Sequence, residues 1–148
     1  MRTTIALVLI GLVVASVDAA AGARSRPAWV VSLAARVAAG NCDPHPSVAR
    51  YVRTHRQAGA GDRVDSDQPV LLVVLRGRFV HHYFYGPPGA KPPRGTAVDF
   101  TVDLKTHEIL DFGIGSRSPR LSRLGVVHDF LAALRAAPVA PTPSVCKR

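Results

Sequence analysis

Apolar and polar positions alternate most cleanly between residues 98 and 114. Val98, Phe100, Val102 and Leu104 are interleaved with Asp99, Thr101 and Asp103, and Leu110, Phe112 and Ile114 repeat the pattern. Period-two alternation marks strands with one buried face, so this stretch predicts a β-hairpin. Pairing Phe100 with Phe112 and Val102 with Leu110 keeps the apolar side chains on one face and leaves a three-residue loop, Lys105-Thr106-His107. The last residue of such a loop is left-handed. That puts His107 where glycine is favoured, and His107→Gly is expected to stabilise by up to about 1 kcal/mol. Upstream, Val70 to Leu75 is apolar at every position, as in a central strand covered on both faces. It is expected to run through Gly77, a bulge or close-approach point, into Phe79 to Tyr85. The Pro/Gly loop Gly86 to Gly95 is too short for a parallel crossover, so its flanking strands should be antiparallel.

Helical spacing shows elsewhere. From Pro46 onward, Val48, Tyr51, Val52 and His55 fall at i, i+3, i+4 and i+7, which predicts an amphipathic helix. Asp43 or Ser47 can cap it, and Gly59 to Gln68 reads as a loop. Ala28 to Ala39 lies between Pro27 and Gly40, the boundary residues of a helix, although the β-branched pair Val30 and Val31 leaves a poorly ordered lead-in as the alternative. One helical turn is expected before Gly125 and a short helix over His128 to Ala136, with Leu131 and Leu134 packing and Asp129 near its positive end. Pro138, Pro141 and Pro143 then make an extended tail. The expected fold is α+β: an antiparallel meander of three to four strands, one main helix packed on the sheet, and one disulfide.

The chain begins with Arg2, an apolar run from Ile5 to Val17 and small residues at Ala19, Ala20, Ala21 and Ala23. This is the layout of a secretory signal peptide, too short for a membrane span of about 20 residues. Cleavage after Ala23 or after Ala19 fits. The domain organisation read from these features is a signal peptide over 1–23, a short apolar lead-in over 24–40, and one α+β domain with a Pro-rich tail over 41–148. The two cysteines, Cys42 and Cys146, belong to an exported chain and point to one disulfide, with intermolecular pairing or a reactive thiol as rivals. A secreted product with no transmembrane anchor after processing is expected.

Formal net charge is +9, carried by sixteen Arg and three Lys. Such a charge steers anionic partners in, but the arginines are scattered and not interleaved with stacking aromatics, so no specific nucleic-acid binding is expected. No catalytic, cofactor-binding or metal-ligating spacing is found. His81 and His82 would point to opposite faces of a strand, and neither His-x-His nor Cys-x-x-Cys occurs. Ser116 follows Gly115 without the G-x-S-x-G pattern of a nucleophile elbow. Asp99, Asp103 and Asp111 share the polar face of the hairpin, where close carboxylates could build an acid/base pair or simply guard an exposed edge. The prolines of Gly86 to Gly95 preclude a phosphate cradle, yet the loop could be a rigid recognition element with Lys91 and Arg94 facing an anionic partner.

The hairpin Val102-Asp103-Leu104-Lys105-Thr106-His107-Glu108-Ile109-Leu110, after a helix and a loop, resembles PepSY-type domains, whose hairpins often read V-D-x-x-T-G with two apolar residues following. His107 stands where that family has glycine. Leu-Arg-Gly-Arg-Phe at 75–79, Pro-Pro-Gly at 87–89 and Asp-Phe-Gly-Ile-Gly at 111–115 are similar to small exported actinobacterial proteins with no assigned reaction. The PepSY resemblance implies a non-catalytic, often inhibitory or peptidase-associated role. The expected function is a secreted binding or inhibitory module for a protein or an anionic envelope component. Its alternatives are a small hydrolase using His81 or His82 with Asp99 or Asp111, and passive association with an anionic surface.

Overall fold

The longest apolar run forms the centre of a five-stranded antiparallel sheet in the order β4-β3-β2-β1-β5. The computed structural model describes residues 27–60, 64–83 and 85–147, so the leader expected over 1–23 lies outside the described residues. Strand β2, Pro69–Val80, pairs with β1, Val48–His55, on one side and with β3, Arg94–Asp103, on the other. Strand β4, Ile109–Gly115, extends the sheet beyond β3, and the three-residue β5, Val127–Asp129, lies beyond β1. Val70 to Leu75 is buried at every position, as a strand covered on both faces must be.

Strand β1 replaces the helix expected from Pro46 onward. All of its residues pair with β2, from Val48 opposite Arg76 to His55 opposite Pro69. Ala49 and Tyr51 are buried on one face, Val52 and Thr54 on the other. A strand buried on both faces does not alternate, and its apolar residues can then mimic helical spacing. The sheet therefore has one strand more than the three to four expected, and β5 adds to the count by taking the start of the segment read as the last helix. That helix, α3, spans only Leu131–Ala136. Asp129 still marks its start, its Oδ1 accepting the Leu131 N–H at 3.0 Å.

The helix packed on the sheet is α1, Ala28–Gly40, within the segment read as a lead-in. Val30, Ala34, Val37 and Ala38 recur at i, i+4, i+7 and i+8 and are buried against Leu71, Val73, Leu75, Val98, Phe100 and Val102. This burial outweighs the weak helix propensity of Val30 and Val31. Phe130 and Leu134, at the start of α3 and within it, complete this core. The opposite face carries a smaller cluster, Val52, Leu72, Val74 and Leu121, beneath the 3-10 turn Leu121–Arg123. The five-residue helix α2, Arg56–Ala60, follows β1 directly.

Helix α1 ends in a Schellman motif. The Cys42 N–H reaches the Ala39 carbonyl at 3.1 Å and the Asp43 N–H reaches the Ala38 carbonyl at 3.0 Å. Cys42 occupies the left-handed position at φ 67°, which favours glycine. The expected disulfide is formed: Cys42 is bonded to Cys146, with 5.2 Å between their Cα atoms. Asp43, proposed above as a helix cap, instead holds the bulge of β2, accepting the Arg78 N–H at 2.6 Å. A Cβ on Gly77 would run into that carboxylate, which confirms Gly77 as a close-approach point beside the register shift between Arg76 and Phe79.

Strand β2 stops at Val80, short of the expected Tyr85, because the backbone there turns to bond elsewhere. The Val80 N–H donates to Asn41 and the His81 N–H to Pro93, both at 2.9 Å. The β3–β4 hairpin keeps Phe100 opposite Phe112, but Val102 pairs with Ile109 and not with Leu110. The loop has four residues, since Asp103 N–H closes on Glu108 O at 2.9 Å, and Leu110 is the bulge that restores the register. His107 is left-handed at φ 60°, as expected. Its ring also stacks on Trp29 of α1, with centroids 3.9 Å apart. His107→Gly then loses a stack worth about 0.5 to 1.5 kcal/mol while it relieves a comparable strain. The revised expectation is a net change within about 1 kcal/mol, accompanied by a shift in the fluorescence of the single tryptophan. Urea unfolding followed through Trp29 measures both; stabilisation with unchanged emission would show that the stack does not form.

Candidate functional site

Two clefts open on the face of the sheet opposite α1. The larger, about 540 Å3, is built where β1 and β2 meet the segment before and through the 3-10 turn. Arg50 on β1 and Arg76 on β2 are diagonal neighbours on that face, since Arg50 pairs with Val74 and Val48 with Arg76. Arg120 arrives from the loop, together with Ser118 and Ser122. One guanidinium nitrogen of Arg76 donates to the Ser118 hydroxyl at 3.0 Å. Arg50 meets Asp129 at 3.3 Å, with both side chains more than half exposed. An exposed pair of that kind contributes little stability, so Arg50 can exchange Asp129 for another carboxylate at small cost.

The second cleft, about 380 Å3, is lined by Asp99, Thr101, Asp111, Phe112 and Gly113 with Gly59 above. Arg56, at the start of α2, grips Asp111 through two nitrogens, each at 2.9 Å, and the buried Thr101 hydroxyl donates to the same carboxylate. These bonds to Arg56, with the Thr101 bond after them, hold the Asp111 carboxyl below the usual carboxylate range. Asp99 lies on the same face, and burial pushes its carboxyl upward. Two carboxyls of one cleft are thus driven apart, the pattern of an acid/base pair.

The signs of their pH effects differ. Asp111, depressed in the fold, adds stability above its unfolded pKa of about 3.9 and loses it as pH falls through the folded value. Asp99, raised in the fold, favours folding when protonated and costs stability once pH rises through its folded value. Asp99→Asn is expected to raise the melting temperature at about pH 7 and to leave it nearly unchanged near pH 3, where the Asp99 carboxyl is mostly protonated in the folded and the unfolded chain alike. Thermal melts at the two pH values check this. A lower melting temperature at neutral pH would mean that ionised Asp99 is stabilised by a partner.

Asp103, the third carboxylate of the expected polar face, serves the turn. It accepts the Thr106 and Lys105 N–H groups and the Gln68 amide, which keep its carboxyl low in that order. The His/Asp combination considered above is not assembled. Asp99 and Asp111 lie on the face opposite α1, whereas His81 bonds Asn41 at the end of α1 through Nδ1, at 2.8 Å, and its ring meets Phe112. His82 lies beside Cys42 and Cys146. Lys91 and Arg94 are exposed on the Pro/Gly loop and at the start of β3. Neither lines the clefts just described.

No family model, curated protein or solved structure matches this chain. Sequence reasoning missed Arg50, Arg76 and Arg120 as a group because it placed Arg50 on the polar side of a helix. Recognised as a strand paired with Val70 to Leu75, the stretch around Arg50 would have revealed the Arg50–Arg76 diagonal.

Proposed function

We propose that this chain is an exported, non-catalytic binding module that docks an acidic segment of a partner protein in the Arg50–Arg76–Arg120 cleft. The observation that carries it is that Arg50, Arg76 and Arg120, from two strands and a loop, line one cleft with Asp129 as its single acidic residue, beside serine hydroxyls that can complete the hydrogen bonding of a carboxylate. The net charge of +9 supports it by steering acidic partners toward the molecule. Export rests on the leader pattern of residues 1–23, and the Cys42–Cys146 disulfide is compatible with an oxidising compartment. The resemblance of the Val102–Leu110 hairpin to PepSY-type domains favours an envelope or secreted peptidase as the partner, with inhibition as the outcome. Lys91 and Arg94 then lie outside the primary contact.

The oxidised domain, used as bait against secreted and envelope fractions at low and high salt, tests this. A discrete protein partner retained at high salt is expected, and Arg76→Glu should reduce its capture about tenfold or more, as for an interfacial arginine worth over 1 kcal/mol. Heterogeneous capture that vanishes with salt and is indifferent to Arg76→Glu would leave only passive association with an anionic surface.

A second function draws on the divergent carboxyls of Asp99 and Asp111. In it Asp99 would hold a proton and Asp111, fixed by Arg56, would stay ionised, in a small hydrolase. Activity on an ester, peptide or glycan panel that Asp99→Asn abolishes would favour it over the binding module.

A further inference from the structure

The C-terminal end of α1, the end of β2 and the tail meet at a place that neither cleft uses. Cys42, His82 and Cys146 each bring a ligand atom there, and these atoms lie within 4.8 Å of one another. The three residues come from distant parts of the chain and are all partly buried. We propose that reduction of the Cys42–Cys146 disulfide converts this cluster into a Cys2His site for zinc, with a fourth position open to water.

The chemistry follows from the donor set. Two thiolates and one imidazole are borderline-soft ligands that suit tetrahedral zinc, whose Zn–S and Zn–N bonds are about 2.3 and 2.0 to 2.1 Å. Tetrahedral angles at such bond lengths separate the ligand atoms by about 3.6 to 3.8 Å; the His82 nitrogen already lies within 4.8 Å of both sulfurs, while the sulfurs, now bonded to each other, have to move apart. A dithiol or phosphine reductant supplies the two electrons and is itself oxidised. The S–S bond breaks, each sulfur takes up a proton, and both protons leave again as the thiolates bind the metal.

Two ligands stand on fixed backbone and one can adjust. Cys42 is set by the Schellman motif in a left-handed conformation normally given to glycine, a strained arrangement that the surrounding hydrogen bonds maintain. His82 follows His81, whose backbone N–H is bound to Pro93 and whose ring is bound to Asn41 of the α1 cap. Cys146 sits in the short 3-10 turn Ser144–Lys147 behind the Pro-rich tail. Once the disulfide opens, the tail can move its sulfur to the separation zinc demands. While the disulfide is closed the sulfurs are not thiolates and the site is off.

Cobalt(II) is the probe, added to the domain with and without prior reduction by a phosphine. The reduced protein is expected to bind one Co2+ with thiolate-to-metal charge-transfer absorption, and Zn2+ should displace it; the oxidised protein should show no such absorption. His82→Ala should weaken binding by about tenfold or more, as loss of a metal-site partner does. If reduction unfolds the chain, recovery of its circular dichroism on metal addition supports the site equally. Absence of charge-transfer absorption after reduction would overturn the proposal. So would binding that is unaltered by His82→Ala, since two cysteines alone would then account for it.

Discussion

Replacing Cys42 and Cys146 by serine is expected to lower the unfolding free energy by about 2 to 5 kcal/mol, the usual loss when a small domain is deprived of a native disulfide. The bond spans a sequence separation of 104, so it restricts the unfolded chain over most of the described length. In the folded state it ties the Pro-rich tail to the end of α1. Urea denaturation of oxidised and serine forms measures the difference, and amide exchange in Ser144–Lys147 should accelerate first, because the bond ties that turn to the end of α1. The left-handed Cys42 supplies an internal control. With Cys146→Ser as background, Cys42→Gly should be more stable than Cys42→Ser by up to about 1 to 2 kcal/mol, the cost of a side chain in that region. Equal stability would mean that the turn relaxes once the disulfide is gone.

Phe100→Ala should cost about 3 to 5 kcal/mol, the range for truncating a buried aromatic. Phe100 is 1% exposed, sits opposite Val73 on one side and Phe112 on the other, and belongs to the cluster under α1. Its removal opens a cavity that β2 and α1 cannot both close. Phe112, the partner across the hairpin, is 38% exposed at the outer strand, and its truncation should cost clearly less than that of Phe100. Equilibrium unfolding of the two variants side by side tests the pairing. Similar losses would place Phe112 in the core and require a different cover over β4.

These expectations show where sequence and structure part. The hairpin was legible because its strands alternate, and the left-handed His107 followed from turn geometry. The length of its loop was not. Asp103 binds the Lys105 and Thr106 N–H groups, which favours a four-residue turn and forces the bulge at Leu110, a choice made by one side chain against the register of the whole strand. Strand β1 was misread because part of each face is buried, Ala49 and Tyr51 on one and Val52 and Thr54 on the other, so its burial follows the neighbours and not a period of two. Helix α1 was seen but undervalued, since the sheet that buries Val30, Ala34, Val37 and Ala38 is built from residues far along the chain.

The candidate site follows the same division. Sequence alone determined the charge, the covered central strand, the antiparallel return through the Pro/Gly loop and the cysteine pair, because these depend on composition or on neighbours a few residues apart. Only the tertiary structure decided that Arg50, Arg76 and Arg120 share a cleft, that Arg56 fixes Asp111 while Asp99 is left to burial, and that His82 lies beside the disulfide. Each of those relations joins segments through strand pairing or helix docking. Their energy comes from contacts distant in sequence, so no local period along the chain records them.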